Sequence, residues 1–582
     1  MTGILIGLVI GLPWLGALVL WRVSDERPRL QHALAVAFSS AAGFASLALI
    51  PFASAETAVR IDAGRYFGEL TFVADGLAVS LTAIACVIGA LAVIFSMDYM
   101  RGEAQLSRYY AFILLFIGAM AGLVLSGNLL FMFFFWEITA LCSYALISFY
   151  NDDPKAVAGG VKALLITQVG GVGLLAGALT AYSALGSYQV SDLLAKAETL
   201  PSNFLALTAF GFLIAAAAKS AQFPFHTWLP DAMEAPTPVS ALIHAATMVN
   251  AGVYLLARFY PAFAQVPGWT LAVTLVGLVS ALIAAFMALA ATDLKRALAY
   301  STVSQLGYMV YAIGVGGVLA SQFHLLSHAV FKALLFLAAG AVIHASGTRD
   351  MRRMGALGKQ MPFVRNVFVF GALALMGIPI LNGFWSKEMI LEAGLSHGPI
   401  WALVGMVMVA GMTAFYTLRM TWLVFFGEAR ESRHAHEAGR AMKVSLGLLG
   451  LGAWTTWLLI EPFSALLQHT LPFHGISSLN LSELSHEVFT APLTYAALIV
   501  IALGLGIFWM VRKQAAGRRE SWMDVLSRES FGFEWLNRRV ASWTVGLGSV
   551  LQRTQTGVLS WNAVGILGAL LIVLVFLVWS VK

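Results

Sequence analysis

The sequence predicts an all-α polytopic membrane protein with about 16 transmembrane helices, two inverted five-helix repeats that each contain a broken helix, and a C-terminal lateral amphipathic helix. The first observation is composition. Of 582 residues, 59% are hydrophobic and 11% are charged, and the mean hydropathy is +0.82. Soluble domains carry about 25% charged residues, so this chain could not cover its surface in water. The second observation is segment length, because apolar runs of about 20 residues suit membrane helices, whereas barrel strands have about 10 residues.

The apolar runs define the order of the helices along the chain. Their approximate bounds are 3–21, 33–51, 74–96, 109–126, 128–150, 161–184, 204–221, 238–258, 270–291, 300–319, 322–344, 363–382, 400–427, 443–461, 491–511 and 558–580. No basic residues precede the first run, which favours a membrane span over a cleaved signal peptide. The predicted parts are three N-terminal helices (1–108), a first repeat (109–258), a second repeat (270–427), two further helices (443–511), an amphipathic lateral segment (512–557) and a final helix (558–582).

The distribution of basic residues predicts the orientation of these helices. Loops that follow odd-numbered helices contain 25 of the 35 lysines and arginines, and loops that follow even-numbered helices contain four. Those four are Arg60, Arg65, Lys196 and Arg258. Because basic loops stay in the cytoplasm, the odd loops are expected there and both termini outside. Membrane orientation thus explains the net charge of +6, and no nucleic-acid partner is predicted.

Four ionisable residues fall deep inside apolar segments. They are Glu137, Lys219, Lys332 and Lys387. An ionisable side chain at that depth costs at least about 2.5 kcal/mol and usually marks an ion or proton pathway. A single lysine can instead extend its side chain to the interface. That interpretation suits Lys162 and Arg419, which stand near helix ends, but not four groups distributed through the bundle.

The predicted helix around Lys332 carries a row of titratable side chains. His324, His328 and Lys332 recur every four residues and therefore share one helix face. Their own helix surrounds them with Leu, Phe and Ala, so their partners must be water or polar groups on facing helices. Imidazoles titrate near neutrality, so the row is predicted to pass protons along. A structural polar contact and a metal site are the alternatives, and no nearby carboxylate or cysteine completes a metal site.

Two helices contain breaks, and each break lies beside a lysine. Pro224 follows Lys219 by five residues, and the segment 377–383, with two glycines and a proline, precedes Lys387. Proline frees backbone groups that lipid cannot satisfy, so such breaks are tolerated where they face protein or a water-filled cavity. Paired breaks are typical of two structural repeats, and repeats of five helices must be inverted with respect to the membrane.

No cofactor or metal site is predicted. Cys86 and Cys142 lie singly in apolar runs without a CxxC pattern, which argues against iron–sulfur and structural zinc sites. The segment 171–176 matches a dinucleotide fingerprint, but it lies inside an apolar span with no preceding strand. Its glycines are therefore interpreted as helix-packing residues.

Three long stretches carry a family resemblance. They are KSAQFPFHTWLPDAMEAPTPVSALIHAATMV (219–249), ATDLKRALAYSTVSQLGYM (291–309) and HLLSHAVFKALLFLAAGAVIHA (324–345). They resemble the proton-translocating antiporter-like family. That family comprises the large membrane subunits of respiratory complex I (the L/5 type), their relatives in membrane-bound hydrogenases, and the large subunit of Mrp sodium/proton antiporters. The resemblance covers most of the chain.

The resemblance implies roles in a first half-channel. Glu137 and Lys219 would be its charged pair, in which the carboxylate modulates the lysine by electrostatic coupling. His244, in the motif SALIHAATM, would be the histidine near the first broken helix that links the two halves.

The resemblance also implies roles in a second half-channel. Lys332 would be its central lysine, fed by His324 and His328. Lys387 would be the terminal lysine, which exchanges the ion with the outside.

The C-terminal region adds a feature found in two members of this family. Apolar residues recur at spacings of three and four between 533 and 550, which predicts an amphipathic helix before the last span. The largest complex I subunit of this type and the large Mrp subunit likewise carry a lateral helix there. The connection 512–557 could reach only about 69 Å if wholly helical, and Asn250 stands where the large Mrp subunits typically have a lysine. The wording of the motifs favours complex I.

These observations predict an ion-translocating subunit of a complex I-like or hydrogenase-like redox pump in a bacterial or archaeal cell membrane, with H⁺ as the ion and Na⁺ as the alternative. Moving one charge against 100 mV needs about 2.3 kcal/mol, and no redox or nucleotide site on the chain supplies it. Other membrane subunits and a soluble energy-coupling arm are therefore the expected partners. The alternatives are the large subunit of an Mrp-type Na⁺/H⁺ antiporter and the membrane subunit of an energy-coupled inorganic-carbon uptake complex.

Overall fold

The computed structural model describes residues 1–429, 435–515 and 532–554, which are predominantly helical. The helices of four or more residues are α1 (Thr2–Arg22), α2 (Pro28–Leu49), α3 (Gly76–Tyr99), α4 (Leu106–Leu125), α5 (Leu129–Ile147), α6 (Pro154–Leu185), α7 (Val190–Lys196), α8 (Ser202–Lys219), α9 (Trp228–Asp231), α10 (Thr237–Phe263), α11 (Trp269–Ala290), α12 (Leu294–Gly314), α13 (Val318–Ser346), α14 (Pro362–Met376), α15 (Asn382–His397), α16 (Ile400–Phe426), α17 (Arg440–Thr470), α18 (Leu481–Thr490), α19 (Pro492–Ala515) and α20 (Phe533–Thr554), besides the single turn Gly64–Phe67. Short 3₁₀ turns occupy Ile50–Phe52, Ala197–Thr199, Ala232–Glu234, Met351–Arg353 and Leu357–Lys359.

The predicted spans can be matched with these helices. Fifteen of the sixteen overlap a helix, and the sixteenth, 558–580, lies outside the described residues. Thirteen described helices are long and apolar enough to cross a membrane. The other two matches are α12, which carries many polar residues, and α14, which has only 15 residues. The predicted span 363–382 was therefore too long, because its helix ends at the second break.

The chain divides into two units, Met1–Arg519 and Glu520–Lys582. The first unit contains α1 to α19 around one core of buried apolar side chains. In the second unit, α20 has the predicted apolar stripe, with Leu536, Val540, Trp543, Leu547 and Val550 exposed. The predicted lateral segment 512–557 is thus helical over 533–554, while its first residues extend α19.

The first break lies directly after Lys219, where α8 ends. Ala221 has a φ of +50°, a left-handed conformation that a continuing α-helix does not contain. The backbone groups at the end of α8 have partners within the bundle. The indole Nε1 of Trp228, for example, donates to the carbonyl oxygen of Ala218 (3.0 Å). The interruption is therefore stabilised by protein contacts and does not face lipid with unpaired carbonyls.

The second break separates α14 from α15. Gly377 follows the last residue of α14 with a φ of +84°, which suits a residue without a Cβ. The N–H of Ile378 donates to the carbonyl of Leu373 (3.1 Å), which closes the helix end. The chain then re-enters a helix at Asn382, so Lys387 lies in the second turn of α15.

A small β-hairpin departs from the predicted all-α architecture. Strand β1 (Thr57–Asp62) pairs antiparallel with β2 (Glu69–Val73) in the loop between α2 and α3. The Thr71 hydroxyl donates to Gln189 Oε1 (2.7 Å), and the Gly127 N–H donates to the Thr71 carbonyl (2.8 Å). The hairpin therefore connects the second, fourth and sixth loops of the bundle.

The first seven odd-numbered loops contact one another through their described residues and form a single face, here called the basic face. It comprises residues 22–27, 100–108, 148–155, 228–235, 291–296, 347–361 and the described parts of 427–440. Its cross-links include Ser107 N–H to Asp25 (2.9 Å), Arg296 to Asp231 (3.0 Å), Arg349 to Asp293 (2.8 Å), and Ala435 N–H to Gln360 (2.6 Å). The even loops meet at the opposite face, so the loops alternate as the charge distribution predicts.

Two basic residues that were expected to extend freely to the interface have protein partners. Lys162 forms an ion pair with Asp231 (2.8 Å), and Arg419 donates to the carbonyl oxygen of Ala291 (2.7 Å). Both contacts join a helix to the basic face. These side chains therefore act as anchors between loops and helices.

Arg258 corrects the sequence analysis, which counted it among loop residues. It lies in the last turns of α10, it is 6% exposed, and its guanidinium forms two hydrogen bonds to the carboxylate of Asp75. Asp75 also accepts the Ala78 N–H (3.0 Å) as the N-cap of α3. Nearby, His474 Nε2 donates to the Ala257 carbonyl (2.9 Å), and burial lowers the pKa of His474 to about 4. The imidazole is therefore neutral at pH 7, and the ion pair has no third charge from it.

Labelling from the two sides of the membrane tests the predicted orientation. Arg353→Cys on the basic face should react with a membrane-impermeant maleimide only when the cytoplasmic side is exposed, as in inverted vesicles. Lys196→Cys, on the opposite face, is the matched control and should react only in right-side-out vesicles. Cys86 and Cys142 are buried and should contribute little background. The reverse pattern would overturn the orientation.

Candidate functional site

Lys219 occupies the first break and contacts α5. Its side chain is fully buried, and its ammonium donates to the carbonyl oxygen of Trp136 (2.8 Å) and lies 4.8 Å from the centre of the Trp136 ring system. Trp136 precedes Glu137 in α5. The ammonium of Lys219 and the carboxylate of Glu137 interact electrostatically, and the ammonium itself is held by the α5 backbone.

The carboxylate of Glu137 is accommodated by a glycine. Glu137 is half-buried, and a Cβ at Gly171 in α6 would overlap its Oε1. Gln168, one turn earlier in α6, hydrogen-bonds to the carboxylate. Gly173, the second glycine of the 171–176 segment, serves the predicted helix packing, since a Cβ there would lie 2.7 Å from the carbonyl oxygen of Gly211. Gly171 therefore has a role at the site that the sequence did not reveal.

His244 lies in a π-turn of α10. The turn covers Leu242–Ala246, and its irregular carbonyls are satisfied by side chains, among them Asn250 Nδ2 to the Ala245 carbonyl (2.8 Å). The His244 ring is fully buried and lies 5.4 Å from the ring of Phe336 in α13. Both ring nitrogens lack a partner among the described residues. Single π-turns are frequent at functional sites, and a buried imidazole without protein partners calls for water.

Lys332 lies in the middle of α13 and faces α12. Its fully buried ammonium donates to Ser301 Oγ in a short contact and to the carbonyl oxygen of Leu298 (3.4 Å). These partners are neutral, and no carboxylate in the described part of the chain forms an ion pair with this group. Within that part of the chain, the Lys332 ammonium is therefore held by neutral groups.

His324 and His328 share the face of Lys332, and they differ in their hydrogen bonds. His324 Nδ1 lies 2.9 Å from Ser386 Oγ, and its Nε2 lies 3.2 Å from Gln305 Oε1. His328 lies between His324 and Lys332, and the ring centroids of the two histidines are 6.3 Å apart. Both ring nitrogens of His328 lack a hydrogen-bond partner among the described residues. The row is thus continuous along the helix but needs water at His328.

Lys387 binds the end of the helix on the other side of the second break. Its ammonium donates to the carbonyl oxygen of Leu375 (2.5 Å), in the last turn of α14, and lies 5.8 Å from the ring centroid of Tyr308. The carbonyls of a last helical turn lack intrahelical partners and carry partial negative charge, so a cation is stabilised there. Ser386, the residue before Lys387, connects it to His324.

Several residues of the site were not predicted. The polar groups that face the α13 row come from one face of α12, where Ser301, Gln305 and Tyr308 follow one another at spacings of four and three. That periodicity along a predicted membrane helix is a signal that could have identified them. Glu388, which is buried and accepts from the Thr494 hydroxyl (3.0 Å), lies beside Lys387 and could have been noted as a fifth membrane-embedded charge.

The arrangement is suited to moving protons over short steps. Three buried lysines alternate with imidazoles and hydroxyls, and the ring nitrogens without partners among the described residues mark places where water must complete the connection. Among those residues, no group of three His, Cys, Asp or Glu side chains could hold a metal ion. The lysines, imidazoles and hydroxyls of the site are themselves groups that can release or accept protons.

Two family models match the chain. Residues 126–413 match the transmembrane domain described as NADH:quinone oxidoreductase/Mrp antiporter, and residues 61–110 match the N-terminus of chain 5 of NADH-ubiquinone oxidoreductase (complex I). The first match contains all seven predicted site residues.

The curated relatives are named as subunits of quinone oxidoreductases. NADH-quinone oxidoreductase subunit L of Escherichia coli is 41% identical over 478 residues, which cover 80% of this chain and 76% of the relative. NAD(P)H-quinone oxidoreductase chain 5 of Synechocystis is 40% identical over 440 residues, 73% of this chain and 61% of the relative. The chain therefore spans about three fifths of the length of the cyanobacterial relatives that it matches.

Two solved assemblies contain similar chains. A chain of the Mrp complex from a Dietzia species matches with a TM-score of 0.84 and 29% identity, over 100% of this chain and 63% of that one. A chain of the archaeal membrane-bound sulfane sulfur reductase, a respiratory membrane complex, matches with a TM-score of 0.70 and 25% identity, over 80% of this chain and 96% of that one.

Proposed function

The chain belongs to the membrane-subunit family of NADH:quinone oxidoreductases and Mrp antiporters, and we propose that it translocates protons as one member of a multi-subunit membrane complex. Its relatives are subunits of such complexes. The observation that carries the proposal is a buried row in which Lys332, His328 and His324 lie on α13, and Ser386 connects His324 with Lys387. Lys332 in this row has no carboxylate counter-ion among the described residues.

In the first half of the proposed path, Glu137 controls the charge of Lys219. The carboxylate, placed against Gly171, stabilises the ammonium form through electrostatic attraction, and a change in its surroundings would favour proton release. His244, with two ring nitrogens available to water, then connects Lys219 with Lys332. Its ring lies 5.4 Å from the ring of Phe336, one turn from Lys332 on α13, and the charges of Lys295 and Lys332 both act on it, which supports this link.

In the second half, the proton moves along the α13 row. Lys332 exchanges with His328 through water, His328 with His324, and His324 with the Ser386 hydroxyl beside Lys387. Lys387, at the second break, exchanges with the face opposite the basic face. Each step transfers one proton between groups that can both donate and accept, and no bond other than N–H or O–H changes.

Energy for transport against a gradient must come from partners. About 2.3 kcal/mol is needed per charge and 100 mV, and the relay holds only proton-carrying groups. We propose other membrane subunits and a soluble energy-coupling arm as the source in a complex I-like assembly. The high structural similarity to an Mrp chain favours a second candidate function, the large subunit of an Mrp-type Na⁺/H⁺ antiporter, in which a Na⁺ gradient supplies or receives the energy. In either case the bundle sits in a bacterial or archaeal cell membrane with the basic face in the cytoplasm.

A substitution at Glu137 tests this function in the assembled complex. The chain is purified with its partners and reconstituted in vesicles, and coupled proton movement is followed with an internal pH dye. Glu137→Gln should lower the rate about tenfold without changing assembly, because about 1.4 kcal/mol of lost interaction shifts a protonation equilibrium tenfold. Adding a protonophore or a Na⁺ ionophore distinguishes H⁺ from Na⁺ as the ion.

The matched control is Glu69→Gln in the exposed hairpin, where the side chain is 54% exposed. It should transport at the wild-type rate. Wild-type transport by Glu137→Gln would contradict the proposed pairing with Lys219.

A further inference from the structure

Two histidines and a tyrosine form a cluster on the basic face that the relay described above does not use. The rings of His344, in the last turn of α13, and His436 lie 5.6 Å apart, and both side chains are exposed. The Tyr99 ring, at the end of α3, lies 5.6 Å from His344 and is half-buried. Glu103 acts electrostatically on both Tyr99 and His344, and Arg349 acts on Tyr99.

The cluster continues into the bundle through hydroxyl groups. The Tyr99 hydroxyl lies 3.0 Å from Thr237 Oγ1, at the start of α10. Thr237, Ser240 and His244 follow one another at spacings of three and four and so share one face of α10. All three are buried, and Ser240 Oγ, like the His244 nitrogens, has no partner among the described residues. Exposure therefore decreases step by step from the histidine pair to His244.

The facing helix makes room for this row. Lys332, Phe336, Gly340 and His344 recur every four residues along α13. A Cβ at Gly340 would lie 2.7 Å from the Thr237 methyl carbon, so the glycine allows the two helices to approach closely there. Phe336 lies against the His244 ring. The interface between α10 and α13 thus presents polar atoms on the α10 side from the basic face to the centre.

We infer that Tyr99, Thr237 and Ser240, with His344 and His436 at the surface, form the route by which protons pass between the water at the basic face and His244. The inference rests on the proposed function, because it supplies that relay with its access to one side of the membrane. A proton taken up by the histidine pair passes through the Tyr99, Thr237 and Ser240 hydroxyls, each accepting one proton and donating its own. Tyr99 and Thr237 are in direct hydrogen-bond contact, and water completes the connections from His344 to Tyr99, from Thr237 to Ser240 and from Ser240 to His244. No redox change occurs.

Removal of single hydroxyl groups tests the route in the assembled complex. Tyr99→Phe keeps the ring beside His344, and Thr237→Val keeps the shape beside Gly340. Each should lower proton transport about tenfold with unchanged assembly, because a positioned proton donor typically contributes at least 10²-fold and water replaces it in part. The double variant should be no slower than the slower single variant, since both interrupt one row. A merely structural role would instead make the losses accumulate.

The matched control is Tyr109→Phe, which removes a buried hydroxyl that is hydrogen-bonded to Ser96 (2.8 Å), a residue outside the route. It should transport at the wild-type rate. Zn²⁺ added at the basic face should inhibit the wild type by binding the histidine pair. His344→Gln should remove that inhibition.

Lys332→Ala separates this inference from the proposed function. If Lys332→Ala abolishes transport while Tyr99→Phe and Thr237→Val transport normally, the route is wrong and the relay stands. If Lys332→Ala transports normally, the proposed function itself fails.

Discussion

Lys332→Arg should assemble with its partners and yet translocate less than about a hundredth of the wild-type proton flux, the loss typical of removing a proton-transfer group. The lysine is fully buried with neutral partners, Ser301 and the Leu298 carbonyl. An ammonium can release a proton to His328 in such a place, whereas a guanidinium does not deprotonate in proteins. The measurement is coupled proton uptake in vesicles holding the assembled variant complex.

A second substitution at this position separates transfer from structural support. Lys332→Met removes the charge but keeps an unbranched side chain, and it should also abolish transport. If Lys332 were only a structural cation, arginine would retain transport and methionine would lose it. Lys359→Arg is the control, because it makes the same substitution on the basic face, outside the relay. It should transport protons at the wild-type rate. Near-normal transport by Lys332→Arg would overturn the relay mechanism.

Asp75→Asn should lower the free energy of unfolding by about 3–5 kcal/mol, the cost typical of removing one partner of a buried ion pair. Both side chains of the Asp75–Arg258 pair are 7% exposed. Asparagine can still cap α3 as aspartate does. The lost free energy of unfolding would therefore come from the missing charge and not from a missing helix cap. Thermal unfolding of the complex in detergent measures the change.

An exposed ion pair supplies the comparison. In the hairpin, Arg60 and Glu69 are 65% and 54% exposed, and Arg60→Gln should change the free energy of unfolding by less than about 1 kcal/mol. The double variant Asp75→Asn, Arg258→Gln should lose less than the two single losses combined, because it leaves no unpaired buried charge. An Asp75→Asn protein as stable as the wild type would show that the pair contributes little.

Local patterns were sufficient for the helices and for their alternation across the membrane. An apolar run has to be a helix in lipid, and basic loops mark one side of the membrane, so both could be predicted without tertiary information. The hairpin β1–β2 could not, because its pairing depends on contacts with Gln189 and Gly127, which belong to distant loops. The predicted span 363–382 ran past the second break, because the end of α14 depends on Gly377 closing the helix.

Residues of the candidate site could be predicted where their side chains differ in polarity from the sequence around them. Charged residues in apolar helices stand out, and Glu137, Lys219, Lys332 and Lys387 were found on that basis. Hydroxyl and amide groups do not stand out in this way. The spacing of Ser301 and Gln305 marks a polar face of α12, but only the packing of the helices shows that this face meets α13. The Asp75–Arg258 pair joins residues 183 positions apart, a distance that no local spacing rule can cover.

The lysine anchors at the two breaks have a consequence for the geometry of the path. Lys219 is held by the Trp136 carbonyl and Lys387 by the Leu375 carbonyl, and a carbonyl oxygen can only accept a hydrogen bond. An amine that has lost a proton still has two N–H groups, so each bond survives the change of charge. The nitrogen then stays where it is and turns its free lone pair towards the next proton. Protons can therefore pass both lysines while the side chains remain stationary, and any larger movement during turnover would have to arise elsewhere in the assembly.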